Sequence, residues 1–159
     1  MNPRIRPISA SDRTALLRIL KNTPEFKSYE VSVAEEVIDS CLDGKEKSGY
    51  FILVAEDNKE VIGFVCYGPT PLTVGTWDIY WEAVSRNNRG QGIGGALLKA
   101  AEKDIRKSKG RLVLIETSST PAYAKTRQFY IGHGYEEIAR VLDFYEPGDD
   151  RVILRKLFG

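Results

Sequence analysis

The chain has 159 residues, 42% of them hydrophobic and 28% charged, enough for one domain with a sizeable core. Its 23 basic and 22 acidic residues leave a net charge of +1, which offers no electrostatic footprint for nucleic acid or an anionic membrane. No apolar run approaches the roughly 20 residues needed to cross a bilayer. The first residues lack the apolar stretch of a signal peptide, and two cysteines, Cys41 and Cys66, do not suggest a disulfide framework; the expectation is a cytoplasmic protein.

In chain order, Arg4–Ile8 reads as a short strand ending near Pro7. Ser9 or Ser11 caps a helix with Asp12 in its first turn and Leu16, Leu17, Ile19 and Leu20 on its apolar face. Asn22-Thr23-Pro24 ends that helix, and Phe26–Glu30 reads as irregular. Ser32 is the expected cap of a second helix, whose Val33, Val37, Ile38, Cys41 and Leu42 follow the helical period up to Asp43-Gly44. Tyr50–Ala55 and Val61–Tyr67 form a hairpin around Asp57–Glu60. Thr76–Val84 is a further strand, and Ser85–Asn88 a polar connection. A helix to Lys107 puts Ile93, Leu97, Leu98, Ala101 and Ile105 on one face, and Gly110 stops it. The apolar run Leu112–Thr117 fits a strand covered on both faces. Pro121 opens a last helix, about Ala122 to Ile131, closed by Gly132-His133-Gly134. Tyr135–Leu142 and Arg151–Leu157 are the last strands, joined by Asp143–Asp150. The sum is a three-layer α/β domain with a mixed sheet of about seven strands and four helices, occupying residues 1–159.

Four glycines fall within Arg89-Gly90-Gln91-Gly92-Ile93-Gly94-Gly95, between a strand and a helix. Glycine lets a ligand approach the backbone closely, and the first N–H groups of the helix lack internal partners. Such a junction holds phosphate. Two ligands compete. Gly90–Gly95 fits the dinucleotide pattern G-x-G-x-x-G, and Glu116 stands near the position of a ribose-binding acid. Against this, five polar residues, Ser85–Arg89, separate the strand from the first glycine, and the unit begins halfway along the chain.

The second reading is acyl-coenzyme A. Arg89-Gly90-Gln91-Gly92-Ile93-Gly94 resembles the [Q/R]-x-x-G-x-[G/A] signature of the GNAT superfamily of acyl-CoA-dependent N-acyltransferases. Tyr80–Val84 is similar to that family's fourth strand, and Phe129-Tyr130-Ile131-Gly132-His133-Gly134-Tyr135 to its F-Y-x-x-x-G-[F/Y] segment. Ile5-Arg6-Pro7 followed by Ser11-Asp12, and the order β-α-α-β-β-β-α-β-α-β-β, also match.

The resemblance implies that the pyrophosphate of acetyl-CoA lies on the amides of Arg89, Gly90, Gln91, Gly92, Ile93, Gly94 and Gly95, with the Arg89 side chain adding charge. It implies that the pantetheine arm pairs with the backbone of Ala83, Val84 and Ser85, where an N–H near Val84 polarises the thioester carbonyl. Two distant cysteines and a single histidine offer no metal-ligand cluster, so no metal is expected. Tyr130 stands at the family's frequent acid position, and a phenol suits protonation of a thiolate. Strict alternation along the strand puts Asp78, Tyr80, Glu82 and Val84 on one face and Trp77, Ile79, Trp81 and Ala83 on the other. Asp78 and Glu82 are therefore the candidate bases. Where many family members have asparagine seven residues before the tyrosine, this chain has Tyr123. The sole histidine, His133, reads as a helix-terminal cap, and the cysteines as core. The implied activity is acetyl transfer to a primary amine of a small molecule or a protein. The acidic residues of 143–150 would favour a cationic one. A non-catalytic acyl-CoA-binding module and a dinucleotide-dependent redox domain are the alternatives. Oligomeric state is left open, a homodimer included.

Overall fold

The computed structural model describes residues 2–159. Strand β1 (Arg4–Pro7) is followed by a short 3-10 turn (Ala10–Asp12), helix α1 (Arg13–Lys21) and helix α2 (Ser28–Gly44). Next come β2 (Phe51–Asp57), β3 (Glu60–Pro69) and β4 (Thr76–Val84), then α3 (Ile93–Lys107) and β5 (Leu112–Ser118). A 3-10 turn (Pro121–Tyr123), α4 (Ala124–Gly132), β6 (Glu136–Glu146) and β7 (Asp149–Leu157) complete the chain.

The seven strands form one mixed sheet in the order β1-β2-β3-β4-β5-β7-β6, with β4 and β5 its parallel pair. Helices cover both faces, as the apolar periodicities require. On one face Ile93, Leu97, Leu98, Ala101 and Ile105 of α3 pack against Val65, Ile79, Val113 and Ile115. On the other, Leu16, Ile19 and Leu20 of α1 and Val37, Ile38 and Cys41 of α2 pack against Val54, Phe64, Cys66 and Ala83. Cys41 and Cys66 are both buried and free. Among the described residues, no helix is long and apolar enough to cross a membrane.

Three local expectations change. Helix α2 starts at Ser28, with Lys27 as its cap, so Ser32 lies inside it and bonds back to the Ser28 carbonyl at 3.2 Å. Tyr29 and Glu30 are thus helical. Strands β6 and β7 run much further than their apolar residues suggest, and only Pro147-Gly148 is left between them. Gly148 takes a positive φ of 84° there, a conformation suited to glycine. A bulge between Val141 and Glu146 absorbs the extra residues of β6, and its bonds from Asp143 N to Asp150 and from Gly148 N to Asp143 hold it.

The third change decides the site. Tyr67 of β3 pairs with Ile79, while Cys66 pairs with Trp81, so Tyr80 is an extra residue in β4. A bulge of this kind shifts side-chain alternation by one and bends the strand. Trp77 and Ile79 therefore share the α3 face with Glu82 and Val84, while Trp81 and Ala83 pack on the α1–α2 face. Asp78 and Glu82 point to opposite faces. Pairing between β4 and β5 also stops at Ile79 and Ile115, which leaves the rest of β4 unpaired on that side.

Candidate active site

The sheet splits at the bulge, and two cavities meet in the gap. The first has a volume of about 630 Å³ and is bounded by Glu82–Val84, the glycine loop and one side of α4. The second, about 490 Å³, runs from the start of α2 past Trp81 to β5 and Tyr145. Glu82, Tyr123, Thr126 and Tyr130 line both.

Backbone geometry prepares the first cavity for an extended ligand. Gly63 lies opposite Val84, and Ser85 N donates to the Ile62 carbonyl at 2.7 Å. Val84 is thus the non-hydrogen-bonded member of an antiparallel pair, and its own N–H and C=O face away from β3. They face the gap that β5 has vacated. The Val84 carbonyl accepts from Arg89 Nε at 3.3 Å. So Arg89 reaches back to the strand in this structure.

The loop is built on Gly90 and Gly92, which have φ of 77° and 80° and open space where a Cβ would stand. Gly92 is the N-cap of α3, so the turn presents the free amides of Ile93, Gly94 and Gly95 outward, as an anion requires. Gly94 and Gly95 serve close packing instead. A Cβ at Gly94 would lie 3.4 Å from Phe129 Cζ and 3.7 Å from Glu82 Oε2; one at Gly95 would lie 3.0 Å from His133 Nε2.

Tyr130 and Glu82 form the junction. Tyr130 is 6% exposed, and its hydroxyl donates to Glu82 Oε1 at 3.3 Å. Glu82 Oε2 is buried without a hydrogen-bond partner. Burial pushes the Glu82 carboxyl up to about 8, against a smaller opposing pull from the Tyr130 hydrogen bond. Burial, then the neighbouring Glu82 charge, raises the Tyr130 phenol well above its ordinary value. The pair combines a carboxylate that titrates near neutrality with a phenol that keeps its proton.

Asp78 does not join them. It accepts from Thr70 Oγ1 at 2.6 Å, and burial raises its carboxyl. Sequence reasoning treated His133 as a cap only. Its Nδ1 does donate to the Phe129 carbonyl at 2.8 Å, near the end of α4, but its ring also lines the first cavity beside Phe129 and Gly95. The adjacent Gly94-Gly95 pair was the available signal, since close approach of another side chain is one reason for glycine in a helix. Tyr123 was noted as an exception; its hydroxyl donates to the Glu25 carbonyl at 3.0 Å, tying the α1–α2 connection to α4.

The profile of the acetyltransferase (GNAT) domain matches residues 48–137. An uncharacterized N-acetyltransferase of Bacillus subtilis, YhfO, is 30% identical over 138 residues, spanning 84% of this chain and 89% of the relative. A crystal structure from Desulfovibrio desulfuricans, described as a candidate acetyltransferase of the GNAT family, superposes with a TM-score of 0.94 at 37% identity, covering 97% of this chain and 98% of that one. A GNAT family acetyltransferase from Elizabethkingia anophelis, solved with acetyl-CoA bound, shares the fold at a TM-score of 0.75 and 20% identity, covering 99% of each chain. This chain belongs to the GNAT acetyltransferase family and is an acyltransferase.

Proposed function

We propose that the protein transfers the acetyl group of acetyl-CoA to a primary amine. The observation that carries this reading is the buried Tyr130–Glu82 hydrogen bond at the meeting point of the two cavities. Acetyl-CoA occupies the first cavity. Its pyrophosphate rests on the amides of Arg89–Gly95, and its pantetheine arm runs beside Ala83, Val84 and Ser85. Arg89 exchanges the Val84 carbonyl for the pyrophosphate. The acetyl-CoA bound by the Elizabethkingia relative supports this ligand.

The acceptor amine enters from the second cavity. The amine reacts in its neutral form, an ammonium first releasing one proton to solvent. Glu82, rather than Asp78 on the far face, takes the proton that the nitrogen loses as it attacks. The amine nitrogen bonds to the thioester carbon, and the Val84 N–H stabilises the charge on the carbonyl oxygen. The C–S bond then breaks, and Tyr130 protonates the leaving thiolate. The proton held by Glu82 passes back to the Tyr130 oxygen along their hydrogen bond. The products are an N-acetyl amine and free coenzyme A, and both side chains return to their starting states.

Thiol release from acetyl-CoA, measured across a panel of amines, tests the reading. Amine-dependent release that Glu82→Gln lowers about 10²-fold is expected for loss of a general base. A protein that acetyl-CoA protects against heat, but whose thiol release no amine accelerates, would instead be the binding module. Protection by NAD and not by acetyl-CoA would overturn the ligand assignment.

A further inference from the structure

We infer that the acceptor is a linear aliphatic diamine, with one amine at Glu82 and its second, ammonium end at Glu30; this rests on the transferase reading above. The second cavity, about 490 Å³, has the size of a small-molecule site. Its wall holds six carboxylates, Glu25, Glu30, Glu82, Glu116, Glu146 and Asp149, and a single cation, Lys27. The chain as a whole carries a net charge of +1, so this excess of acid is local.

Some of that charge is already matched. Glu116 pairs with Arg151, and Glu146 lies 3.8 Å from Lys27 Nζ. Asp149 accepts from Ser118 Oγ at 2.5 Å. Glu25, Glu30, Glu82 and Asp149 have no ion-pair partner among the described residues. Of these, Glu30 and Glu82 are the two that stand beside Tyr123 and Tyr130, at the ends of the cavity's aromatic wall. Glu82 Oε2 in addition is buried without any hydrogen bond. Burial raises the Glu30 carboxyl as it raises that of Glu82, even with Lys27 nearby. A cation arriving from solvent relieves an unmatched carboxylate of this kind.

The two carboxylates stand beside two tyrosines of the same helical run. Tyr130 donates to Glu82, and the Tyr123 hydroxyl lies 3.5 Å from Glu30 Oε2. Seven residues separate these tyrosines, about two helical turns or roughly 10 Å. Between the two ends, Phe26, Tyr80, Trp81, Tyr123 and Tyr145 supply an aromatic wall. Methylene groups lie well against such rings, and an ammonium gains from their faces. The occupant this describes has a positive charge at each end and an apolar middle.

Acetyl transfer to 1,6-diaminohexane, hexylamine and a short peptide with an N-terminal alanine separates the outcomes. The diamine should exceed hexylamine about ten-fold in kcat/KM, mainly through KM, as expected for one added charge contact in a partly dry site. In Glu30→Gln this advantage should collapse, and in Glu30→Lys it should reverse, while acetyl-CoA still raises the melting temperature of both variants. Equal rates for diamine and hexylamine in the wild-type protein would overturn the inference, as would preference for the peptide; either leaves acetyl transfer itself standing. If acetyl-CoA binds but none of the three acceptors is acetylated, the transferase reading falls, and this inference with it.

Discussion

Glu82 and Tyr130 share one hydrogen bond, and burial raises both groups, the carboxyl into the working pH range and the phenol well beyond it. Burial holds the Glu82 carboxyl near 8, so its basic form grows as pH rises through that value. The Tyr130 phenol is raised and stays protonated throughout. The rate should therefore climb from pH 7 to 9. Trifluoroethylamine, an acceptor uncharged over this range, isolates the enzyme's own titration, and Glu82→Gln should flatten the climb. Tyr130→Phe should lower kcat about 10²-fold or more with little change in acetyl-CoA affinity; an unchanged kcat would remove Tyr130 from the reaction. Both residues were legible in the sequence, Tyr130 through the segment around it and Glu82 through its place on the strand. That Glu82 and not Asp78 meets Tyr130 was not legible. Strict alternation holds only for an unbroken ladder, and no glycine or proline at Tyr80 announces the extra residue.

At the scale of elements, the glycine loop was the most readable part of the molecule, because its conformation leaves few alternatives. Gly90 and Gly92 stand at positive φ with empty space around them. A methyl at Gly92 would meet no protein atom, but it would strain the backbone by about 1 kcal/mol and occupy the cradle itself. Gly92→Ala should therefore lower the melting temperature slightly and raise KM for acetyl-CoA about ten-fold. Isothermal titration with coenzyme A would check this, and unaltered affinity would show that the amides there are not used. The β6–β7 hairpin was less readable. Its residues around 143–150 are polar and turn-forming, and the strands gain their length from ladder bonds and aspartate side-chain contacts instead of apolar alternation. Strand β6 is exposed along its whole length, so the period that marks a buried face is missing.

The whole molecule rests on two cores, one on each side of the sheet, and the edge strand β1 is joined to the α1 side by charge. Arg6 meets Asp12 through two bonds of 2.8 and 3.0 Å, and Asp12 also accepts from the Ser9 backbone N–H at 2.8 Å. Asp12 is 4% exposed, so its carboxylate is shielded from solvent while the Arg6 side chain stays partly exposed. The Arg6 hydrogen bond, more than the opposing burial, lowers the Asp12 carboxyl below its ordinary value. A carboxyl depressed on folding stabilises the protein above its unfolded value, near 3.9, and loses that contribution as pH falls through the folded value. Asp12→Asn should cost about 2 kcal/mol at pH 7 and progressively less below pH 4. Urea denaturation over that range measures it, and a cost independent of pH would assign the loss to packing alone. Ser9 and Asp12 were recognisable as helix-start residues, but a partner six residues earlier on another element has no local signature.

The extra residue at Tyr80 has a mechanical meaning. The β3 partners of β4 are Tyr67 for Ile79 and Cys66 for Trp81, so a chain lacking Tyr80 would keep every one of its rungs. What it would lose is the bend that ends pairing with β5 at Ile79. The two parallel strands would then zip together past that point, over the place where both ligands are proposed to meet. A Tyr80 deletion should fold, resist heat as well as the parent or better, and show no thermal response to acetyl-CoA. The opening in the sheet is thus held by a length mismatch of a single residue, a counting error written into the strand, with no need for a wedge to keep it apart.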